Sequence, residues 1–291
     1  MTTTPNAIGA ALGLLGDEWN LLIVRVALRG PCRYSQLQTE LGIGPSVLSS
    51  RLAALTAGGV LTKNSDGYRL TACGKDLWAL LLTIWAWEQK WVQGAALPTM
   101  RHSDCGEVFT PVLCCSTCSA PTPQEDVELT LGPSGSLQRS VPTGTNRRRT
   151  GGARPAGPGL FPETMALMGS RWSSGLLGCA FLGAHRFTEF EAMLGAPANV
   201  LADRLKTFVA LGVLDSGYRL SDKGRDFFPT VALLVAWGET WQRSPDGPAL
   251  AARHLLCGAP FIPRLHCSSC GGSLHRSALL IEDHQVLQRT T

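Results

Sequence analysis

The chain says the same thing twice: the stretch from Gly16 to Cys118 is rewritten, with altered wording, from Gly169 to Cys270. Gly16-Asp-Glu-Trp19 returns as Gly169-Ser-Arg-Trp172, Arg33-Tyr-Ser-Gln-Leu37 as Arg186-Phe-Thr-Glu-Phe190, and Val47-Leu-Ser-Ser-Arg-Leu52 as Val200-Leu-Ala-Asp-Arg-Leu205. The offset is 153 residues up to Leu61 and Leu214. It then falls to 150, because the second copy has three fewer residues before Gly217-Tyr-Arg-Leu220, its version of Gly67-Tyr-Arg-Leu70. A repeat this long is a duplicated domain, since solenoid units run to roughly 20–50 residues.

At 291 residues, 44% hydrophobic and 16% charged, the chain is large enough for two cores of ordinary size. Its longest apolar runs, Leu77 to Trp87 and Val231 to Gly238, are too short to span a bilayer, and the N-terminus lacks a secretory pattern. A cytoplasmic protein is expected. The net charge of +4 is spread evenly, so any footprint on nucleic acid must be local. The expected division is a first domain over 1–120, a flexible linker over 121–160 and a second domain over 161–291. The linker is rich in Pro, Gly, Ser and Thr and carries Arg147-Arg-Arg149, a solvated patch or a grip on phosphates. Val127 to Leu131 alternates as a short strand belonging to the first copy, as does Ala278 to Ile281 for the second.

Each copy has the same internal order. From Asp17, the apolar residues Trp19, Leu22, Ile23, Val26 and Ala27 fall at helical spacing and stop at Gly30-Pro31. Tyr34 to Leu41 predicts a second short helix. Gly42-Ile-Gly44 turns the chain into a third, with Pro45 in its first turn and Gly58-Gly59 at its end. Two helices joined by a Gly-containing turn suggest a helix-turn-helix. Leu61 to Leu70 then reads as strand, Asp-Gly turn, strand, a hairpin that forms a wing, with the turn shortened in Leu214 to Leu220. Thr71 and Ser221 stand as N-caps of a long helix.

Together these motifs, in the same order twice, resemble the HxlR family of bacterial winged helix-turn-helix regulators, over about residues 8–119 and 161–272. The elements carrying the likeness are Gly-x-x-Trp, Arg-[Tyr/Phe]-[Ser/Thr], Val-Leu-x-x-Arg-Leu, Gly-Val-Leu, Tyr-Arg-Leu-[Thr/Ser] and Trp-x-x-x-Trp. The resemblance implies DNA-binding transcription factors that act as dimers, with the third helix in the major groove and the wing near the backbone. Family members usually carry one copy per chain, so this chain resembles a dimer fused into one polypeptide. The implied fold class is mainly α with small β: two winged helix-turn-helix domains, each with a short zinc-knuckle-like C-terminal extension.

On the third helix of the first copy, Val47, Leu48, Leu52 and Leu55 face the core and leave Ser46, Ser49, Ser50 and Ala53 opposite, bordered by Arg51. Small polar side chains approach base edges and phosphates, and arginine pairs with guanine. The family more often has arginine where this chain has Ser50, which weakens the grip. The second copy presents Asn199, Ala202, Asp203 and Lys206 beside Arg204. Ser35, Lys63, Arg69 and Arg219 complete the candidate DNA contacts, although Arg69 and Arg219 alternatively brace the hairpin. On the second copy's helix these residues read equally well as ordinary solvated positions around a core, whereas on the first copy's helix DNA contact is the favoured reading.

His102-x-x-Cys105 followed by Cys115-x-x-Cys118 recurs as His254-x-x-Cys257 and Cys267-x-x-Cys270, with nine residues between the inner cysteines in both copies. Three thiolates and an imidazole close a tetrahedral structural Zn²⁺ site, so one zinc per copy is expected, up to two per chain. Cys114 and His266 are spare donors beside the knuckle. Buried thiols or a redox-responsive pair are the other readings. Trp85, Trp87 and Trp91, with Trp237 and Trp241 in the second copy, form an aromatic stripe. It packs copy against copy, or it lines a pocket for a small aromatic or hydrophobic effector. No phosphate loop, serine elbow or paired carboxylates are recognisable, so no enzyme activity is expected.

The expected function is a sequence-specific DNA-binding transcription regulator, with repression as its mode. It would be a monomeric pseudo-dimer, or a homodimer of such chains, reading an asymmetric operator on double-stranded DNA under control of the effector. Recognition helices about 34 Å apart would reach successive turns of the groove. The alternative is a small-molecule-binding protein that keeps the regulator scaffold and has lost DNA affinity.

Overall fold

The computed structural model describes residues 4–94, 97–141 and 161–282. In the first half α1 (Ala7–Leu15) and α2 (Glu18–Leu28) precede the helix-turn-helix of α3 (Tyr34–Leu41) and α4 (Pro45–Ala57). The wing follows as β1 (Leu61–Asn64) and β2 (Gly67–Leu70), then α5 (Ala72–Lys75) and the long α6 (Trp78–Trp91). β3 (Thr99–His102), β4 (Pro111–Cys115), β5 (Val127–Leu131) and α7 (Leu137–Ser140) end this half. The second half runs α8 (Pro162–Met168), α9 (Arg171–Phe181), α10 (Phe187–Leu194), α11 (Ala198–Ala210), α12 (Asp222–Arg225) and α13 (Phe228–Trp241). It closes with β6 (Leu250–His254), β7 (Pro263–Cys267) and β8 (Leu279–Glu282).

The helix boundaries have local causes. The Asp17 carboxylate accepts from the Asn20 amide (3.2 Å) to start α2, and the Ser170 hydroxyl does the same for α9 from Ser173 (3.1 Å). Gly42 and Gly195 end α3 and α10 in the left-handed region, at φ 59° and 58°. Thr71 and Ser221 are N-caps, each accepting from the glycine three residues on. They cap only the four-residue α5 and α12, however, and the long helices begin separately at Trp78 and Phe228. The break keeps those short turns against the Val-Leu segment before the wing. A Cβ at Gly74 would lie 2.2 Å from the Val60 carbonyl oxygen, and one at Gly224 2.2 Å from that of Val213. In the second half the wing is reduced to a single bridge between Leu214 and Leu220.

The two halves are interlaced by backbone hydrogen bonding. β3 pairs with β8, β5 with β6, and β4 with β7, all antiparallel and all between halves. The strands Val127–Leu131 and Leu279–Glu282 therefore form where alternation predicts them, but each pairs with the opposite half. In the central ladder Leu113 stands opposite Leu265, its own counterpart in the repeat. Part of the predicted linker, residues 121–141, is accordingly built into this shared body through β5 and α7. Arg147 to Arg149 lie outside the described residues.

The long helices also reach across. Trp87 Nε1 donates to the Lys223 carbonyl (3.0 Å) and Trp237 Nε1 to that of Cys73 (2.9 Å). Trp91 Nε1 donates to Asp226 Oδ2 (2.9 Å) and Trp241 Nε1 to Asp76 Oδ2 (3.0 Å). Each long helix thus uses the same pair of indoles to hold the short helical turn of the other half. Trp85, also buried, donates instead to the Pro98 carbonyl (2.9 Å) within its own half. Among the described residues, no single helix is long and apolar enough to cross a membrane.

Neither α1 nor α8 is foreseen by the repeat, because their sequences differ and lie at its edge. They dock on opposite long helices by different means. Beside α1, a Cβ at Gly238 would lie 2.7 Å from the Ala7 carbonyl oxygen, so the two helices meet backbone to backbone. At the equivalent place on α6 stands Glu88, 1% exposed, which accepts from the Thr164 amide (2.9 Å) and hydroxyl (2.7 Å) at the start of α8. Burial raises the Glu88 pKa above the ordinary carboxylate value, against the lowering effect of the Thr164 hydrogen bonds and Lys223. Between the unfolded and the raised folded pKa the native state binds more protons, so this group's contribution falls as pH rises through that window. Glu88→Gln should therefore gain stability relative to the parent as pH rises above the ordinary carboxylate value, read as a widening difference in Tm. A constant difference would dismiss the buried charge as its cause.

Candidate nucleic-acid interface and metal centres

α4 offers one helix face to solvent. Leu48, Leu52 and Leu55 are buried, while Ser46, Ser49, Ser50 and Ala53 are exposed. Its start is pinned to α3 by the Tyr34 hydroxyl, which donates to the Pro45 carbonyl (2.9 Å) and lies 3.3 Å from Ser49 Oγ. Ser35 on α3 and Lys63 and Arg69 on the wing are also exposed, with the Lys63 ammonium over the Tyr68 ring.

Arg51 departs from the expectation of a base-contacting side chain. Its guanidinium forms a two-point pair with Asp17, Nε to Oδ1 at 3.0 Å and Nη2 to Oδ2 at 2.8 Å, tying the start of α2 to the middle of α4. Such bidentate pairing fixes both groups, and it is spent inside the domain. In the second half Ser170 replaces Asp17, and Arg204 instead lies 3.6 Å from Asp203 on its own helix, with Nε unpartnered. Asn199, Ala202, Asp203 and Lys206 are exposed on α11, and Arg219 is exposed at the shortened wing. The repeat gives no hint of the Asp17–Arg51 pair, because Arg51 recurs as Arg204 while Asp17 is replaced by Ser170.

The eight predicted metal donors come together, but not as four from each copy. One cluster joins His102 and Cys105 of the first half to Cys267 and Cys270 of the second. The other joins Cys115 and Cys118 to His254 and Cys257. The reason is the strand pairing: β4 against β7 carries each Cys-x-x-Cys turn to the opposite end of the ladder, beside the other half's His-x-x-Cys turn. The expected donor set within each copy is corrected to two clusters that each take two donors from either half.

Both clusters have the dimensions of a closed tetrahedral shell. In the first, His102 Nδ1 lies 3.4 Å from the sulfurs of Cys105 and Cys270, and the Cys105 and Cys267 sulfurs are 3.9 Å apart. In the second, His254 Nδ1 is 3.2 Å from Cys257 and 3.4 Å from Cys118, and Cys115 is 3.9 Å from Cys257. A tetrahedron with Zn–S bonds of about 2.3 Å has edges of about 3.8 Å, so the donor set fits zinc. The turns that hold the donors repeat: Gly106 and Gly258, at φ 75° and 71°, close the His-x-x-Cys turns with amide bonds of 2.8 Å to His102 and His254. Ser119 takes at φ 59° the left-handed conformation that Gly271 takes at 70°.

The electrostatics lower one thiol of each cluster and raise another: against the lowering by the Glu107 and Ala259 amides, burial and the neighbouring thiols raise Cys105 and Cys257, whereas Cys115 and Cys267 are lowered. Burial pushes the Cys115 thiol up, but the amides of Cys118 and Thr117 and the thiols of Cys257 and Cys118 bring it below its ordinary value. Cys267 is lowered against the same burial penalty by the amides of Cys270 and Ser269 and the thiols of Cys270 and Cys105. Both imidazoles are almost fully buried, against Phe109 and Phe261 (ring centroids 6.0 and 6.2 Å). His254 Nε2 lies 3.4 Å from the Thr122 hydroxyl, which orients the ring from behind. The spare donors take no part: Cys114 is buried, with burial raising its pKa, and His266 Nδ1 faces the Gly271 carbonyl at 2.9 Å.

Comparison with known proteins places these domains. The HxlR-like helix-turn-helix family model matches residues 14–96 and again 167–246. The chain is 37% identical over 119 residues to an uncharacterized HTH-type transcriptional regulator of Mycobacterium tuberculosis (strain CDC 1551 / Oshkosh), a match covering 38% of this chain and 75% of the relative. It is 36% identical, with the same coverage, to another from Mycobacterium bovis (strain ATCC BAA-935 / AF2122/97). No solved structure gives a significant match. With the family model matched over both helix-turn-helix regions, the chain belongs to the HxlR-like helix-turn-helix family and carries the family's domain twice.

Proposed function

We propose that this protein is a sequence-specific transcription regulator that acts as a single-chain pseudo-dimer on an asymmetric operator, repressing by occupancy. The observation that carries the proposal is the pair of unlike recognition faces within one interlaced body: Ser46, Ser49 and Ser50 on α4, and Asn199 and Lys206 on α11, all exposed. Asparagine suits adenine and lysine suits phosphate or guanine, whereas three serines make a weaker, shape-tolerant contact. α11 is therefore assigned the larger share of specificity. Arg51, held by Asp17, is left out of the contact set, whereas Arg204, beside Asp203, is kept on the second face. Two Zn²⁺ ions are proposed as structural cofactors, since four protein donors leave no position open for substrate.

The test is a gel shift with DNA from upstream of the protein's own gene, at fixed salt. Asn199→Ala should cost about 1–3 kcal/mol and relax preference at one base position. Lys63→Ala should weaken all sequences alike and lower the salt slope by about one. Specific retardation that survives Asn199→Ala and Lys206→Glu together would remove α11 from the interface. Absence of any shift at low salt would favour the small-molecule binder on a regulator scaffold.

A further inference from the structure

The repeat serves as an internal control for the second core, and the two cores are not filled alike. Where the first half has Leu22, Arg25, Leu80 and Trp85, the second has Gly175, Gly178, Thr230 and Val235. Phe181 and Phe227 replace Leu28 and Leu77 and recover part of the volume, but not all of it. A cavity of about 90 Å³ remains between α9, α13, α1 and the β5–β6 ladder, walled by these small residues together with Leu12 and Leu250. None of Trp85, Trp87, Trp91, Trp237 or Trp241 lines it.

The walls carry no charged side chain. Three hydroxyl-bearing residues are among those lining the cavity, and two of the hydroxyls are engaged: Ser140 accepts from Asn6 (2.8 Å), and Ser174 donates to the Ser170 carbonyl (3.0 Å). The third, Thr230 Oγ1, has no hydrogen-bond partner although the residue is only 1% exposed. An orphaned buried hydroxyl is costly, and apolar cavities on the order of 150 Å³ take up benzene-sized guests. We propose that this cavity is a binding site for one small, uncharged, apolar molecule, a single ring or short branched chain bearing one hydroxyl or carbonyl that pairs with Thr230. In the first half the larger Leu22, Arg25, Leu80 and Trp85 stand at the corresponding places, so one molecule per chain is expected.

Calorimetric titration of the full, metal-loaded chain with 4-ethylphenol, ethylbenzene and 4-ethylbenzoate tests this. 4-Ethylphenol should bind one per chain, ethylbenzene about tenfold more weakly, as expected for one buried hydrogen bond, and the benzoate not at all. Thr230→Val should erase the difference between phenol and hydrocarbon while raising the Tm of the free protein. Val235→Trp, which restores the residue of the first half, and Gly178→Leu, whose added Cβ meets only Leu137 at 3.7 Å, should each abolish binding. Unchanged metal content and circular dichroism confirm that those variants fold. No saturable heat with 4-ethylphenol at millimolar concentration, or binding that survives both filling substitutions, would overturn the proposal. A tenfold preference retained in Thr230→Val would overturn the role of the hydroxyl. Binding is read directly as heat, so this site stands or falls separately from DNA recognition.

Discussion

Replacing Cys105 and Cys270 together should leave one bound zinc per chain, whereas replacing Cys105 and Cys118 together should leave none. The expectation follows from the shared clusters, since Cys105 and Cys270 belong to one site while Cys105 and Cys118 belong to two. Sites confined to each copy would give the reverse result, with Cys105 and Cys118 lost from a single site. Zinc content by emission spectroscopy on purified serine variants distinguishes the two arrangements outright. The energetic consequence is large. Closed zinc sites contribute roughly 10–16 kcal/mol of apparent binding free energy at neutral pH, and losing even a third of that is about 4 kcal/mol. At about 2–4 °C per kcal/mol for a chain of this size, each lost site should lower Tm by about 10 °C. A single-site variant that melts like the parent would show that the cluster carries no metal in solution.

The second large effect concerns the indoles. Trp87→Ala and Trp237→Ala each remove a buried ring and leave a carbonyl of the other half, Lys223 or Cys73, without its donor. For Trp87 the T-shaped contact with Phe227, at 4.9 Å between centroids, goes as well. Truncating a buried tryptophan costs about 3–5 kcal/mol. Because both contacts cross between halves, each variant should lower the melting of both halves together, as one calorimetric transition. Two separated transitions in the parent, with only one displaced by Trp237→Ala, would show that the halves fold independently.

The helix-turn-helix itself was legible in the sequence because its signals are local. Asp17 caps, Gly42 turns, Pro45 begins and Gly58 ends in ways that a few neighbouring residues decide. The Cys and His turns that form the two clusters were legible for the same reason, as two tight turns repeated. What spacing could not reveal was which turn faces which. That is set by the β4–β7 ladder, whose partners are 148–156 residues apart and whose register places Leu113 opposite its own counterpart. A ladder between like copies leaves the same pattern in the sequence as two separate hairpins. Asp76 and Asp226 illustrate the point: both recur at the same place in the repeat, a trace of the reciprocal contacts with Trp241 and Trp91 that is visible only once those contacts are known. Arg51 misled in the opposite way, since a charged residue bordering a recognition face is read as a contact until its acidic partner, thirty-four positions earlier, is found to hold it.

The shared clusters also impose an order on synthesis. His102 and Cys105 leave the ribosome long before Cys270, 168 residues after His102, completes their site, and Cys118 waits 136 residues for His254. At about 5–20 residues per second, that is roughly 10–30 s during which the first half holds half-sites without a full ligand shell. Neither donor cluster is complete until Cys257 or Cys270 of the second half has been made, so a filled pair would mark a chain translated past Cys270.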